Sequence, residues 1–207
     1  MDQARPYIVG LTGGIASGKT AASEYLASLG ALVIDADAIS RHLTRDGGEA
    51  LPAIRQRFGE GVMDGQSLNR RALAALVFGS LAERRSLEAI LHPMVQRETL
   101  GRIEQAGREG AKIVFLSVPL LFETGMDVLC DEVWLMALEH DEQLRRLMAR
   151  DQLTCAQAES RIQSQMPLAD KLARATHAVR TNRPIAQTRQ ELDAMYRDLK
   201  KRVGGRA

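Results

Sequence analysis

Residues 7–26, YIVGLTGGIASGKTAASEYL, leave the fold little freedom. An apolar run of strand character, residues 7–11, leads into a glycine-rich turn, and a helical pattern with Ala22, Leu26 and Leu29 on one face follows at once. Gly13, Gly14, Ile15, Ala16, Ser17, Gly18, Lys19 and Thr20 fit G-x-x-x-x-G-K-[ST] at every position, in the strand-then-helix setting that gives the pattern its meaning. Small residues let the backbone curl so that successive N–H groups point inward, and the start of the helix adds positive partial charge. Lys19 then reaches the outer phosphates of a nucleotide, Thr20 can place its hydroxyl on magnesium, and Ala21 closes the cradle. A glycine turn that merely starts a helix has no use for Lys-Thr at that spacing.

Further strand-like runs occur at residues 31–34, 113–118 and 132–136, with a weaker one at 178–179. Leu144 and Leu147 repeat at helical spacing, and residues 185–203 form an amphipathic helical pattern. Continuous apolar strands alternating with helices predict an α/β fold with a parallel sheet covered on both faces. Residues of about 39–107 differ, with helical periodicity and turn signals but no convincing strand, and read as a helical insertion. Gly47-Gly48, Gly59, Asp64-Gly65 and His92-Pro93 punctuate it, and Asn69 is placed to cap a helix. Residues of about 150–171 are polar, Gln-rich and poor in apolar residues, an irregular piece suited to a mobile cover.

At 207 residues the chain suits one globular body with a small inserted subdomain. Lys plus Arg total 28 against 26 Asp plus Glu, a net +2 that supplies no broad field for nucleic acid. The basic end, Lys200, Lys201, Arg202 and Arg206, reads as a solvated helix terminus. No uncharged stretch is long enough to span a bilayer, and MDQARPY lacks the basic-then-apolar pattern of a secretory leader. Cys130 and Cys155 are far apart and form no CxxC pair, so reduced thiols in a cytoplasmic protein are expected.

A phosphate cradle serves many ends. A GTPase switch calls for an NKxD segment, and neither Asn69 in LNRR nor Asn182 in TNRP supplies one. A kinase needs a carboxylate near the acceptor hydroxyl and basic groups against the transferring phosphoryl. Asp35 and Asp37 follow the second strand, at the strand end where open α/β sheets place ligands; Asp35 is equally suited to capping the next helix.

The segments GLTGGIASGKT, VIDADAISR, LEAILHP, PLLFE, QLRRLMARD and RIQSQM occur together, in order, between Gly10 and Met166. In this combination the chain resembles the dephospho-CoA kinase family, whose members transfer the γ-phosphoryl group of ATP to the ribose 3′-hydroxyl of dephospho-CoA. The resemblance implies a P-loop core with a five-stranded parallel sheet (about 1–38, 108–149 and 172–207), a helical acceptor-binding insertion (about 39–107) and a lid (about 150–171). It implies that Asp37 is the acceptor-side carboxylate, as general base or positioner of the hydroxyl, and that His92 and Pro93 line the acceptor pocket. It also gives Leu120 and Glu123 to that pocket and Arg150 to the ATP phosphates, with Arg146 a weaker candidate. Lys19, Arg150 and Asp37 would carry the chemistry, ATP and dephospho-CoA would be the partners, and magnesium would accompany ATP on Thr20.

Two places depart from the family pattern. The strand before PLLFE offers Ser117 where an acidic residue is usual, so metal ligation falls on Thr20, phosphate oxygens, water and Asp37. Residues 177–182, HAVRTN, lack the usual acidic residue before Asn, which bears on adenine contacts. A kinase for another small metabolite, and a nucleotide-binding regulatory module without turnover, are the competing readings. The family segments weigh against the first, and Ser117 alone favours the second.

Overall fold

The computed structural model describes residues 5–205. Its contacts divide the chain into two compact units, Asp35–Arg102 and the remainder. Arg206 of the basic end and the first four residues of MDQARPY lie outside the described residues.

The larger unit is built on a five-stranded parallel sheet of order β2-β5-β1-β6-β7. The strands are β1 (Tyr7–Gly13), β2 (Leu32–Asp35), β5 (Ile113–Ser117), β6 (Glu132–Ala137) and β7 (His177–Arg180). These are the five apolar runs of the sequence with slightly shifted ends. From Ile8 to Gly13 every residue of β1 is buried, as expected for a strand covered on both faces. Its register sets Leu11 beside Ser117 on one side and beside Trp134 on the other. The helices are α1 (Lys19–Ser28), α6 (His140–Asp151), α7 (Cys155–Gln163), α8 (Leu168–Arg174) and α9 (Ile185–Gly204).

Leu192, Tyr196 and Leu199 of α9 repeat at helical spacing and are buried with Leu26 of α1 and with Val9, Leu11, Phe115, Trp134 and Val179 of the sheet. The Phe115 ring meets Trp134 edge-on at 5.2 Å and Tyr196 at 5.5 Å between centroids. Burying each such leucine or aromatic ring contributes about 1.5–3 kcal/mol, which holds α9 against the sheet despite its polar outer face.

The smaller unit holds α2 (Ala36–Leu43), α3 (Leu51–Phe58), a hairpin of β3 (Met63–Asp64) and β4 (Ser67–Leu68), α4 (Arg70–Gly79) and most of α5 (Leu81–Arg108). Ile39, Leu43, Leu51, Ile54, Val62 and Leu73 are the larger of its buried apolar residues, and Ala36 and Ala50 the smaller. Asn69 Oδ1 accepts from the Ala72 N–H at 2.9 Å, the predicted cap. Asp35 Oδ1 accepts from the Ala38 N–H at 2.8 Å, so the cap role open in the sequence is realised.

Three sequence expectations change. The insertion does contain strands, but each is two residues long, joined where Gly65 takes a φ of 61°; the Asp64-Gly65 turn was legible and its flanks were not. His92-Pro93 is no break, because Pro93 lies inside the 28-residue α5. A proline there removes one donor from the helix ladder, a loss the other turns of a long helix can outweigh. Residues 150–171 are not irregular: α7 starts with a capping box in which Thr154 Oγ1 accepts from the Gln157 N–H and Gln157 Oε1 from the Thr154 N–H.

Candidate active site

The glycine loop joins the buried end of β1 to α1. Gly18 adopts a φ of 88°, a left-handed conformation suited to glycine, and it precedes α1 without a side-chain cap. No acidic residue stands in the first turn of α1, so its amides are left for an anion. Gly13 is needed for close approach: a Cβ there would come within 2.3 Å of Ser17 Oγ and 2.8 Å of the Met136 carbonyl. Inside the loop the Ser17 N–H donates to the Gly14 carbonyl at 3.0 Å, and Ala16 sits at a φ of 61°, uncommon for a residue with a side chain.

Lys19 is buried, and its Nζ donates to Ser117 Oγ at 2.7 Å. The parallel pairing of β1 and β5 makes this contact possible, since it brings the end of β5 beside the start of the loop. Ser117, at the end of β5, therefore holds the loop lysine. Thr20 is exposed on the first turn of α1, and among the described residues no group of three or more His, Cys, Asp or Glu could form a metal cage.

Two glutamines clasp the loop from outside it. Gln143 Nε2 of α6 donates to the Ile15 carbonyl at 2.8 Å, and Gln165 Oε1, between α7 and α8, accepts from the Ile15 N–H at 2.8 Å. Both lie in the segments QLRRLMARD and RIQSQM; beyond that membership the sequence gives no signal for them.

A cavity of about 250 Å³ opens beside Gly18, lined by Ala21, Ala22, Arg146, Thr181, Arg183 and Thr188 among others. Arg146 is fixed there: its Nη2 donates to the Thr181 carbonyl at 2.7 Å and its Nε to Glu142 Oε1 at 2.7 Å. Hydrogen bonds from Arg145 and Arg146 hold the Glu142 carboxyl down at about 2. Thr181 is itself anchored, its N–H donating to the Ala137 carbonyl at 2.9 Å, so the HAVRTN segment walls the cavity through its backbone. Arg183 pairs with Glu191. Arg150 is exposed at the end of α6 and forks onto Asp151, with Nε 2.7 Å and Nη2 3.1 Å from the carboxylate oxygens.

On the expected acceptor side, Leu120 and Glu123 follow β5 in the larger unit. Glu123 Oε1 accepts from the Met166 N–H at 2.9 Å and lies 2.9 Å from Lys171 Nζ. Asp37, His92 and Pro93 belong to the smaller unit, where all three are exposed; Asp37 occupies the first turn of α2.

A parallel sheet with a glycine loop at the end of its central strand, an uncapped following helix and a buried loop lysine define a P-loop kinase fold. The family model for dephospho-CoA kinase matches residues 7–187. The chain is 45% identical over 192 residues to the dephospho-CoA kinase of Symbiobacterium thermophilum, covering 92% of this chain and 80% of that one. It is 41% identical to that of Geobacillus kaustophilus, over 91% and 94% of the two chains. The solved dephospho-CoA kinase of Campylobacter jejuni superposes with a TM-score of 0.73 at 26% identity, covering 94% of this chain and 97% of that one. The chain belongs to the dephospho-CoA kinase family.

Proposed function

We propose that this chain transfers the γ-phosphoryl group of ATP to the ribose 3′-hydroxyl of dephospho-CoA, releasing ADP and coenzyme A. Family membership supports the reaction, and the single observation that carries the phosphate side is the buried Lys19 at an uncapped helix start behind a fully formed glycine loop.

In the loose transition state of phosphoryl transfer most of the work is charge and position. The loop amides of residues 13–20 hold the phosphates and Lys19 meets the outer ones, its ammonium aimed by Ser117. That pairing gives Ser117 a part in a working cradle, which favours turnover over a regulatory module. The cavity beside Gly18 takes the nucleoside, with Arg146 and the Thr181 wall at its edge. Arg150, the lid arginine of the family pattern, exchanges its Asp151 partner for phosphate oxygens, and Ala21 and Ile15 complete the ATP contacts. Asp37 is assigned to orient the acceptor hydroxyl and take its proton late, and His92, Pro93, Leu120 and Glu123 are each assigned acceptor contacts on the family resemblance.

Magnesium fits this donor set as an ion carried in with ATP. It takes oxygen ligands and keeps several waters, and the exposed Thr20 hydroxyl is the loop oxygen placed to join them. When bound it neutralises charge on the β- and γ-phosphate oxygens. No helix among the described residues is long and apolar enough to cross a membrane, and we assign the reaction to the cytoplasm, which the free thiols of Cys130 and Cys155 suit.

The test is ADP release with ATP, magnesium and dephospho-CoA, beside adenosine, AMP and no acceptor, with the product identified by mass. Phosphorylation of dephospho-CoA alone is expected. Asp37→Asn should lower kcat roughly a hundredfold or more with ATP affinity within about twofold, and equal turnover would remove Asp37 from the mechanism. Lys19→Ala should weaken ATP binding and transfer together; an intact kcat/KM would overturn the cradle.

A further inference from the structure

We infer that the ion pair of the buried Lys171 with the more exposed Glu123 positions the phosphate loop, acting through Gln165. Lys171 lies on the short helix α8 and is 1% exposed, with its Nζ 2.9 Å from Glu123 Oε1. Taking an ammonium out of water costs several kcal/mol, so a lysine in this place calls for a purpose beyond filling space. The same Glu123 oxygen accepts from the Met166 N–H at 2.9 Å. One carboxylate, set just after β5, thus grips both ends of the turn from Met166 to Lys171.

The residue before Met166 carries the grip to the loop. Gln165 Oε1 accepts from the Ile15 N–H at 2.8 Å, while Gln143 Nε2 donates to the Ile15 carbonyl at 2.8 Å. Both backbone polar groups of Ile15 are therefore held by side-chain amides, one from α6 and one from the turn that Glu123 anchors. The next residue, Ala16, keeps its φ of 61°, a conformation that persists where the surroundings enforce it. Lys171, Glu123 and Gln165 form a relay that sets the loop before nucleotide arrives, so less of the binding free energy goes into ordering it. Glu123 in this role is a positioning residue, whatever further contact it makes with the acceptor.

The inference rests on the loop being the ATP site, and the test separates the two. Lys171→Met, Gln165→Met and the double variant of the full chain are compared with the unaltered protein. Hydrogen exchange of residues 13–20 is followed without nucleotide, and steady-state KM is measured for each substrate. Both single variants should exchange faster in the loop and raise KM for ATP about five- to tenfold, the worth of one hydrogen bond, and Gln165→Met should leave KM for dephospho-CoA within about twofold. The double variant should be no worse than the worse single one, because both changes cut one path. The relay is overturned if Lys171→Met speeds exchange only around α8 and leaves the loop and the KM for ATP at their original values. It is equally overturned if Gln165→Met leaves loop exchange unchanged, and that variant decides alone should Lys171→Met fail to fold. Absence of transfer to dephospho-CoA in the unaltered protein would sink the assigned reaction, while the exchange data would still judge the relay.

Discussion

At the residue scale, a hydroxyl stands at the end of β5 where the resemblance leads one to expect a carboxylate. Ser117 cannot replace a carboxylate as a charge, yet its hydroxyl sits 2.7 Å from Lys19 Nζ and gives the buried ammonium an acceptor. The two thiols are also set apart by their surroundings. Burial, and then the Asp127 and Asp131 carboxylates, push Cys130 up to about 12, whereas Cys155 is exposed at the first position of α7. The thiolate is the reactive form, so iodoacetamide at about pH 8 should label Cys155 and leave Cys130 unmodified in the folded protein. Peptide mass mapping reads this directly, and comparable labelling of both would contradict the burial argument.

At the element scale, the helices start in different ways. Asp35, Asn69 and Thr154 close α2, α4 and α7 with side-chain oxygens, while α1 starts at a left-handed glycine and carries no cap. The helices α6 and α7 are joined by His140, whose Nε2 lies 3.0 Å from a Glu159 oxygen and whose Nδ1 lies 3.5 Å from Asp141. Glu159 first, and then Asp141, raise the His140 pKa above its ordinary value. A raised folded pKa means that this clasp is fully present below the unfolded value of about 6.5 and is lost as pH rises through the higher folded value. Amide exchange in α7, corrected for the intrinsic rate, should therefore be more protected at about pH 6 than at about pH 8.5. His140→Gln should abolish the difference; a difference that survives would assign the pH response elsewhere.

At the scale of the whole molecule, the C-terminal helix is locked to the sheet by a carboxylate as well as by its apolar face. Glu132 is 4% exposed, yet it accepts from the Trp134 indole at 2.9 Å, from the Tyr7 hydroxyl at 3.1 Å and from Arg202 Nη2 at 3.1 Å. Arg202 belongs to the basic end that the sequence suggests is merely solvated; it stays exposed, yet its guanidinium reaches the buried carboxylate. Burial, and next the Glu132 charge, raise the Tyr7 pKa. Arg202→Met should cost about 2 kcal/mol in chemical denaturation, less than for a fully enclosed pair because Arg202 is partly exposed. No loss of stability would mean that the Tyr7 and Trp134 donors suffice for the buried carboxylate.

What was legible in the sequence was local. The phosphate loop is eight consecutive residues whose pattern of small side chains, lysine and threonine can be read without a partner, and the five strands announce themselves as apolar runs because both faces of their sheet are covered. Asn69 could be read as a cap because its partner is three residues away. The two-residue strands of the hairpin are too short for any period, and Pro93 reads as a break unless the helix around it is known to be long. The remaining contacts of the site join distant positions: Gln165 reaches Ile15 across 150 residues, Gln143 across 128, and Ser117 meets Lys19 across 98. The sequence by itself determined the cradle, the alternation of strands and helices and the Asn69 cap. Which side chains aim the lysine and hold the loop was decided by the strand order, which sets the ends of β1, β5 and β6 side by side; no spacing along the chain encodes that adjacency.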